Sequence, residues 1–277
     1  MDEQLPEIDI AVADYYRQIP EDDRLIQGPF LLEGLRTREL ILRHAPAPPA
    51  TVLDIGGGAG AHALWLAGLG YSVHLLDPIP RHVAEAERRS AANARPLASC
   101  TLGDARNLPF PDATADLVLL LGPLYHLTSA QDRAGALDEA ARVLKPGGLL
   151  CAAAISCFAS TLDGLARDLF EDPQFAAIAE RDLRDGQHRN PSGRPDYFTT
   201  AYFHRPEDLR AEVLDAGLEL AGVFGIEGPG WIFPDVAERL ADDRRRADLL
   251  RVARSLESEP AMLAASAHLL ALARKPA

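Results

Sequence analysis

The chain has 277 residues, with 28 Lys and Arg against 41 Asp and Glu, a net charge of −13. That balance excludes non-specific binding to nucleic acid or to an anionic membrane, which needs clustered cations. A hydrophobic fraction of 47% beside 25% charged residues marks a soluble globular protein, long enough for one large α/β domain with additions. Cys100, Cys151 and Cys157 are too few and too scattered for a disulfide framework or a zinc site, so inert thiols and no metal are expected. The acidic start Met1-Asp2-Glu3-Gln4 shows no signal peptide, and no apolar run reaches the length of a membrane span. A reducing cytoplasm is the expected setting. The densest basic run, Arg244-Arg245-Arg246, is interleaved with Asp242, Asp243 and Asp248 and reads as a solvated helix face.

Residues 1–44 read as a helical segment outside the main fold, with Leu31, Leu32, Leu35, Leu40 and Ile41 at helical spacing. Pro46, Pro48 and Pro49 break that helix. Strand and helix patterns then alternate over 45–156, which implies a parallel sheet with helices on both faces. Strands are expected at 51–55, 72–76, 98–102, 116–121 and 148–155. Ligands in such sheets bind at the carboxyl ends of the strands. Residues 157–200 carry helical pieces and then the irregular Gln187–Pro195, and leave from that end, so they are read as a substrate cap. Residues 201–277 return to the core, with a strand near 219–226 and a charged amphipathic helix inserted at 235–258. Residues 266–275 fit either a helix or a closing strand, and the strand is preferred.

The first strand ends in Asp54, and Gly56, Gly58 and Gly60 follow at alternate positions before a helical run. Glycine lets a ligand lie directly against the backbone. The loose dinucleotide fingerprint is satisfied by Gly56, Gly58 and Ala61, with Asp77 where a ribose-binding acid belongs. Asp54-x-Gly56-x-Gly58-x-Gly60 is more specific. It resembles the first motif of the class I S-adenosylmethionine (SAM) dependent methyltransferases. Tyr71–Asp77, Gly103-Asp104-Ala105 with Leu108-Pro109-Phe110, Asp116–Leu121 and Arg142–Gly148 resemble that family's later motifs in order.

The resemblance implies a Rossmann-like, doubly wound, mostly parallel seven-stranded α/β sheet with a helical cap. It implies SAM as cofactor, with Asp54 under the amino acid end, Asp77 on the ribose, Asp104 and Ala105 at the adenine, and Leu121 and Gly122 beside the methionine part. The implied reaction is methyl transfer to an oxygen, nitrogen or carbon nucleophile of a small molecule. No nucleic acid or membrane partner is expected, and the protein is taken as a monomer or homodimer. A base is needed only where the nucleophile must lose a proton. His126 is the first candidate, since it follows the fourth strand and imidazole titrates in a suitable range. Tyr125, His204, Tyr202 and Tyr16 are further candidates, Tyr16 as a lid contact, and Trp231 is placed either at the substrate mouth or in the core. An NAD(P)-dependent oxidoreductase and a non-catalytic protein of the same fold remain as alternatives.

Overall fold

The computed structural model describes residues 8–19 and 24–277. The acidic start Met1–Gln4, and the first residues of the expected lid, lie outside the described residues.

Helix α1 (Ile10–Gln18) begins at Asp9, whose carboxylate accepts from the Ala11 amide and satisfies a free helix-end donor. Helix α2 (Leu31–His44) buries Leu32, Leu40 and Ile41 and ends ahead of the prolines. The core then runs β1 (Thr51–Ile55), α3 (Ala61–Gly68), β2 (Ser72–Asp77), α4 (Pro80–Ala91), β3 (Ser99–Leu102), β4 (Ala115–Leu120), α5 (Pro123–His126), α6 (Ala130–Val143) and β5 (Leu144–Ile155). After it come α7 (Ala159–Ala166), α8 (Pro173–Asp185), the short pair β6 (Gln187–His188) and β7 (Ala201–Tyr202), and α9 (Pro206–Asp215). The chain closes with β8 (Glu219–Gly225), α10 (Val236–Ala241), α11 (Asp243–Leu256), α12 (Pro260–Leu263) and β9 (His268–Arg274).

Seven strands form one sheet in the order β3-β2-β1-β4-β5-β9-β8. Strands β1 to β5 are mutually parallel, and β9 runs antiparallel to both β5 and β8. Alternate residues feed two cores. Leu53, Ile55, Val118 and Leu120 face α6 and α9, whereas Val52, Leu75, Leu117 and Leu119 face α2, α3 and α4. Burial on both faces is why these strands read as continuous apolar runs rather than alternating ones. The strand order reverses between β1 and β4, and the crevice at that switch point opens at the carboxyl ends.

Two expectations need correction. Strand β5 starts at Leu144, ahead of the expected 148, because Leu144 pairs with Ala115 before the ladder resumes at Leu149 and Leu117. Residues 157–200 carry the expected helical pieces ahead of the irregular 187–195 stretch: Asp172 caps α8, and Gly186 ends it at a φ of 69°. The insertion at 235–258 is two helices, because the Asp242 carboxylate accepts from the Arg245 amide and starts α11 there. The last segment is the preferred strand, seated between β5 and β8 where its backbone groups find partners on both sides. Among the described residues no helix is long and apolar enough to cross a membrane.

Candidate active site

The β1–α3 turn is packed backbone to backbone against the start of α5. A Cβ on Gly56, whose φ is +70°, would lie 2.8 Å from the Pro123 ring, and one on Gly57 would lie 2.8 Å from Asp54 Oδ2. No side chain fits at either position without displacing a wall. Asp54 is buried beneath this turn, and its Oδ2 has no hydrogen-bond partner. Burial, with Asp77 nearby, pushes its pKa up to about 7. A buried carboxylate oxygen without a donor is costly, which marks the place for a cationic or donor ligand group.

A cavity of about 400 Å³ runs over this turn along the strand ends. Asp54, Gly56, Gly58, Asp77, Asp104, Ala105, Leu121 and Gly122 all border it. Gly60 does not. It caps α3 in the left-handed region, and a Cβ there would meet Leu64 and Leu75, so its part is the turn itself. Gly57 borders the cavity in its place and could have been found from the unbroken Gly56-Gly57-Gly58 run.

Asp77 is already engaged by its own surroundings. Its Oδ2 accepts from the Gly58 amide at 2.8 Å, and its Oδ1 accepts from the Ile79 amide at 2.9 Å and contacts His82 Nδ1 at 3.1 Å. Each oxygen keeps some acceptor capacity for a hydroxyl. Asp104 is likewise engaged, by the Arg106 side chain, which also reaches Asp132 at 3.1 Å. His82 and Arg106 escaped the sequence reading, because only the fold folds them back onto these acids.

A second cavity of about 600 Å³ adjoins the first and shares Tyr16, Tyr125, Arg24, Glu33 and His268 with it. Its walls are largely aromatic, with Tyr15, Phe175, Tyr197, Phe198, Phe203 and Trp231. The indole N–H of Trp231 donates to the Ala265 carbonyl at 3.0 Å, leaving the ring as wall.

His126 borders the first cavity, beside Tyr125 and Tyr16. Its Nε2 lies 2.7 Å from the Tyr16 hydroxyl, and burial holds its pKa down at about 4. A neutral imidazole there can accept the Tyr16 hydrogen bond, which ties α1 to α5 beside the cavity. His204 borders neither cavity; it is fully buried, with Nε2 3.1 Å from Glu212 Oε2. Tyr202 is equally remote, with the Arg133 guanidinium 3.6 Å from its ring centre. Both lie where the chain returns to the core, outside the lining of the two cavities. Cys157 is buried and its thiol is pushed up to about 11 by burial, as an inert thiol should be.

A seven-stranded sheet with one antiparallel member, a glycine turn at the switch point and acids at three successive strand ends define a nucleotide-binding α/β domain of the methyltransferase type. Residues 53–152 match the family model described as a methyltransferase domain. SAM is the cofactor of that family, and the orphaned Asp54 oxygen and the glycine cradle fit it. The oxidoreductase alternative is not favoured. The chain is 39% identical over 112 residues to the ubiquinone/menaquinone biosynthesis C-methyltransferase UbiE of Ruegeria sp. (strain TM1040), covering 38% of this chain and 42% of that one. It is 32% identical over 133 residues to the chloroplastic 2-methyl-6-phytyl-1,4-hydroquinone methyltransferase of Arabidopsis thaliana, covering 47% and 37%. The match thus spans about two fifths of these relatives' length. Among solved structures, an S-adenosylmethionine dependent methyltransferase from Mesorhizobium loti superposes with a TM-score of 0.56 at 19% identity, covering 88% of this chain and 99% of that one, a likeness of fold alone.

Proposed function

We propose that this protein transfers the methyl group of SAM to an oxygen, nitrogen or carbon nucleophile of a small, largely apolar acceptor. One observation carries the reading: a cavity bordered by acids and glycines opens onto a second, aromatic-walled cavity at Tyr16 and Tyr125. The relatives named for ubiquinone/menaquinone biosynthesis and for a hydroquinone support a ring-bearing acceptor. When bound, SAM supplies an activated methyl; the protein's share is to hold the nucleophile in line, which can contribute roughly 7–11 kcal/mol in the best cases. Asp54 would face the amino acid end, Asp77 the ribose, Asp104 and Ala105 the adenine, and Leu121 and Gly122 the methionine part. The acidic balance of the chain speaks against nucleic acid, and three free cysteines fit a reducing cytoplasm. Labelled SAM incubated with a metabolite extract should deliver label to an extractable apolar product. Label appearing in protein or RNA instead would overturn the small-molecule reading.

The N-terminal segment and residues 157–200 would act together as the cover. Thr199 Oγ1 donates to the Ala11 carbonyl at 2.9 Å, and the Tyr15 and Phe198 rings meet edge to face. Closure of such a cover excludes water and aligns the acceptor. Hydrogen exchange should therefore slow in both segments together when cofactor and acceptor bind; equal protection with and without ligands would remove the cover from the mechanism.

A further inference from the structure

At the junction of the two cavities lies a polar cluster in an otherwise apolar surround. His268 is the first residue of β9, paired with Ile155 at the ligand-bearing end of the sheet. Its Nδ1 hydrogen-bonds Glu227 Oε1, and its backbone amide donates to Glu227 Oε2 at 3.1 Å. Ser266 Oγ donates to the same Oε2 at 2.8 Å and accepts from the Glu227 amide at 3.0 Å, so this buried carboxylate is locked. Glu33 Oε2 lies 3.9 Å from His268 Nδ1, and both Glu33 oxygens accept from Arg24, at 2.7 and 2.9 Å. Three potential ligand atoms, from Glu33, Glu227 and His268, lie within 4.8 Å of one another, a spacing a metal could use. Arg24 and Ser266 already satisfy those carboxylates, so the cluster is complete without one. What it leaves open is His268 Nε2, which has no protein partner among the described residues, on a ring that borders both cavities.

We propose that the Glu227–His268 pair takes the hydroxyl proton of a phenolic or enolic acceptor seated in the second cavity. The proposal rests on the methyltransferase reading and names the acceptor group that this reading leaves open. The acceptor's O–H bond breaks, its electron pair stays on oxygen, and an N–H bond forms at Nε2. The resulting imidazolium is held by Glu227 through Nδ1–H. In an O-methylation, the oxygen's pair then forms the new bond to the methyl carbon, the S–CH3 bond breaks, and its pair remains on the neutral thioether. The proton leaves to solvent before the next turnover. His268 would be the catalytic residue and Glu227 the positioning residue.

The electrostatics agree. Burial opposes a charge on His268, but Glu33 and Glu227 raise its pKa to about 9, with Arg24 opposing. His62 of α3, which borders the first cavity, is held down at about 4 by burial and adds no charge. An imidazole near 9 is well matched to a phenol, which ionises near ~10, because proton transfer is then nearly balanced. The productive complex carries one proton shared between His268 and the acceptor. Below about pH 9 the free partners carry two, so kcat/KM should rise with pH towards 9 and fall once both have lost theirs.

The test uses 2-methyl-4-nitrophenol, whose anion has its own visible band. With S-adenosylhomocysteine present at pH 6, where His268 already carries one proton, the wild-type protein should bind the probe one to one as its anion, release the probe's own proton to solvent, and show the anion band. His268→Asn keeps a hydrogen-bonding side chain but no proton acceptor. It should weaken probe binding tenfold or more and lose the band, while S-adenosylhomocysteine affinity and the thermal transition stay within twofold. A band that persists in this variant, or a probe that does not bind the wild-type protein, overturns the proposal. A parallel loss of S-adenosylhomocysteine affinity also overturns it, by putting His268 on the cofactor. Glu227→Gln gives the second readout: the rising limb of kcat/KM for a transferred phenol should move to lower pH, whereas a purely structural role would lower the rate without moving the limb. Absence of S-adenosylhomocysteine binding to the wild-type protein, with the anion band intact, would instead sink the methyltransferase reading alone.

Discussion

Replacing Asp77 with alanine is expected to weaken S-adenosylhomocysteine binding about 10- to 100-fold. A charge-assisted hydrogen bond contributes ~1.5–3 kcal/mol, and this carboxylate is buried at the end of β2. The interpretation must separate two routes, because the same carboxylate also accepts from the Gly58 and Ile79 amides and contacts His82. Its loss could loosen the glycine turn without any ribose contact. A thermodynamic cycle resolves this. A 2′-deoxy analogue should bind the wild-type protein more weakly than S-adenosylhomocysteine does, and the difference should shrink in Asp77→Ala. Calorimetry that finds the same loss for both ligands would assign Asp77 to loop order. Asp77→Asn should fall between wild type and alanine, since the amide keeps one acceptor oxygen and loses the charge.

The largest effect on stability is expected at Arg36. This arginine on α2 is fully buried; it donates to the Ile226 carbonyl at 3.2 Å, to Glu39 at 2.5 Å and to the buried Glu257 just past α11. The Glu257 carbonyl in turn accepts from the Gly225 amide at 2.7 Å, so α2, β8 and α11 meet on one guanidinium. Arg36→Met keeps the apolar stem and removes the donors, leaving a buried carboxylate and a buried carbonyl underpaired. Removing one partner of a buried pair costs about 3–5 kcal/mol. The lower end applies, because Arg43 still reaches Glu257. Denaturant unfolding should show a loss of about 3 kcal/mol with an unchanged slope. Adding Glu257→Leu should recover part of it, since the stranded charge is then gone. A single variant within ~0.5 kcal/mol of wild type would show that water replaces the guanidinium, an outcome typical of surface positions. Ile226 borders the first cavity and precedes Glu227, so the same variant should also disturb the His268 cluster.

By itself the sequence determined the order and type of the core elements and the floor of the cofactor site. Both are local. A strand buried on two faces must be apolar along its length, as Val52–Ile55 and Leu117–Leu120 are, and a turn that passes under a ligand must carry glycine at Gly56 and an acid at Asp54. The strand-ending acid Asp77 and the turn acid Asp104 lie within short motifs, so the resemblance could single them out, and both border the first cavity. The tertiary structure alone decided which histidine has which chemistry. His126, His204 and His268 are alike in the sequence, and the reading favoured the first two. Packing makes His126 a neutral partner of Tyr16, buries His204 beside Glu212, and brings His268 between Glu33 and Glu227 at the meeting of two cavities. Those three residues come from α2, the end of β8 and the start of β9. No periodicity links positions so far apart. The sheet order that seats β9 between β5 and β8 brings them together, and burial there, with two carboxylates in reach, sets the basicity of the imidazole.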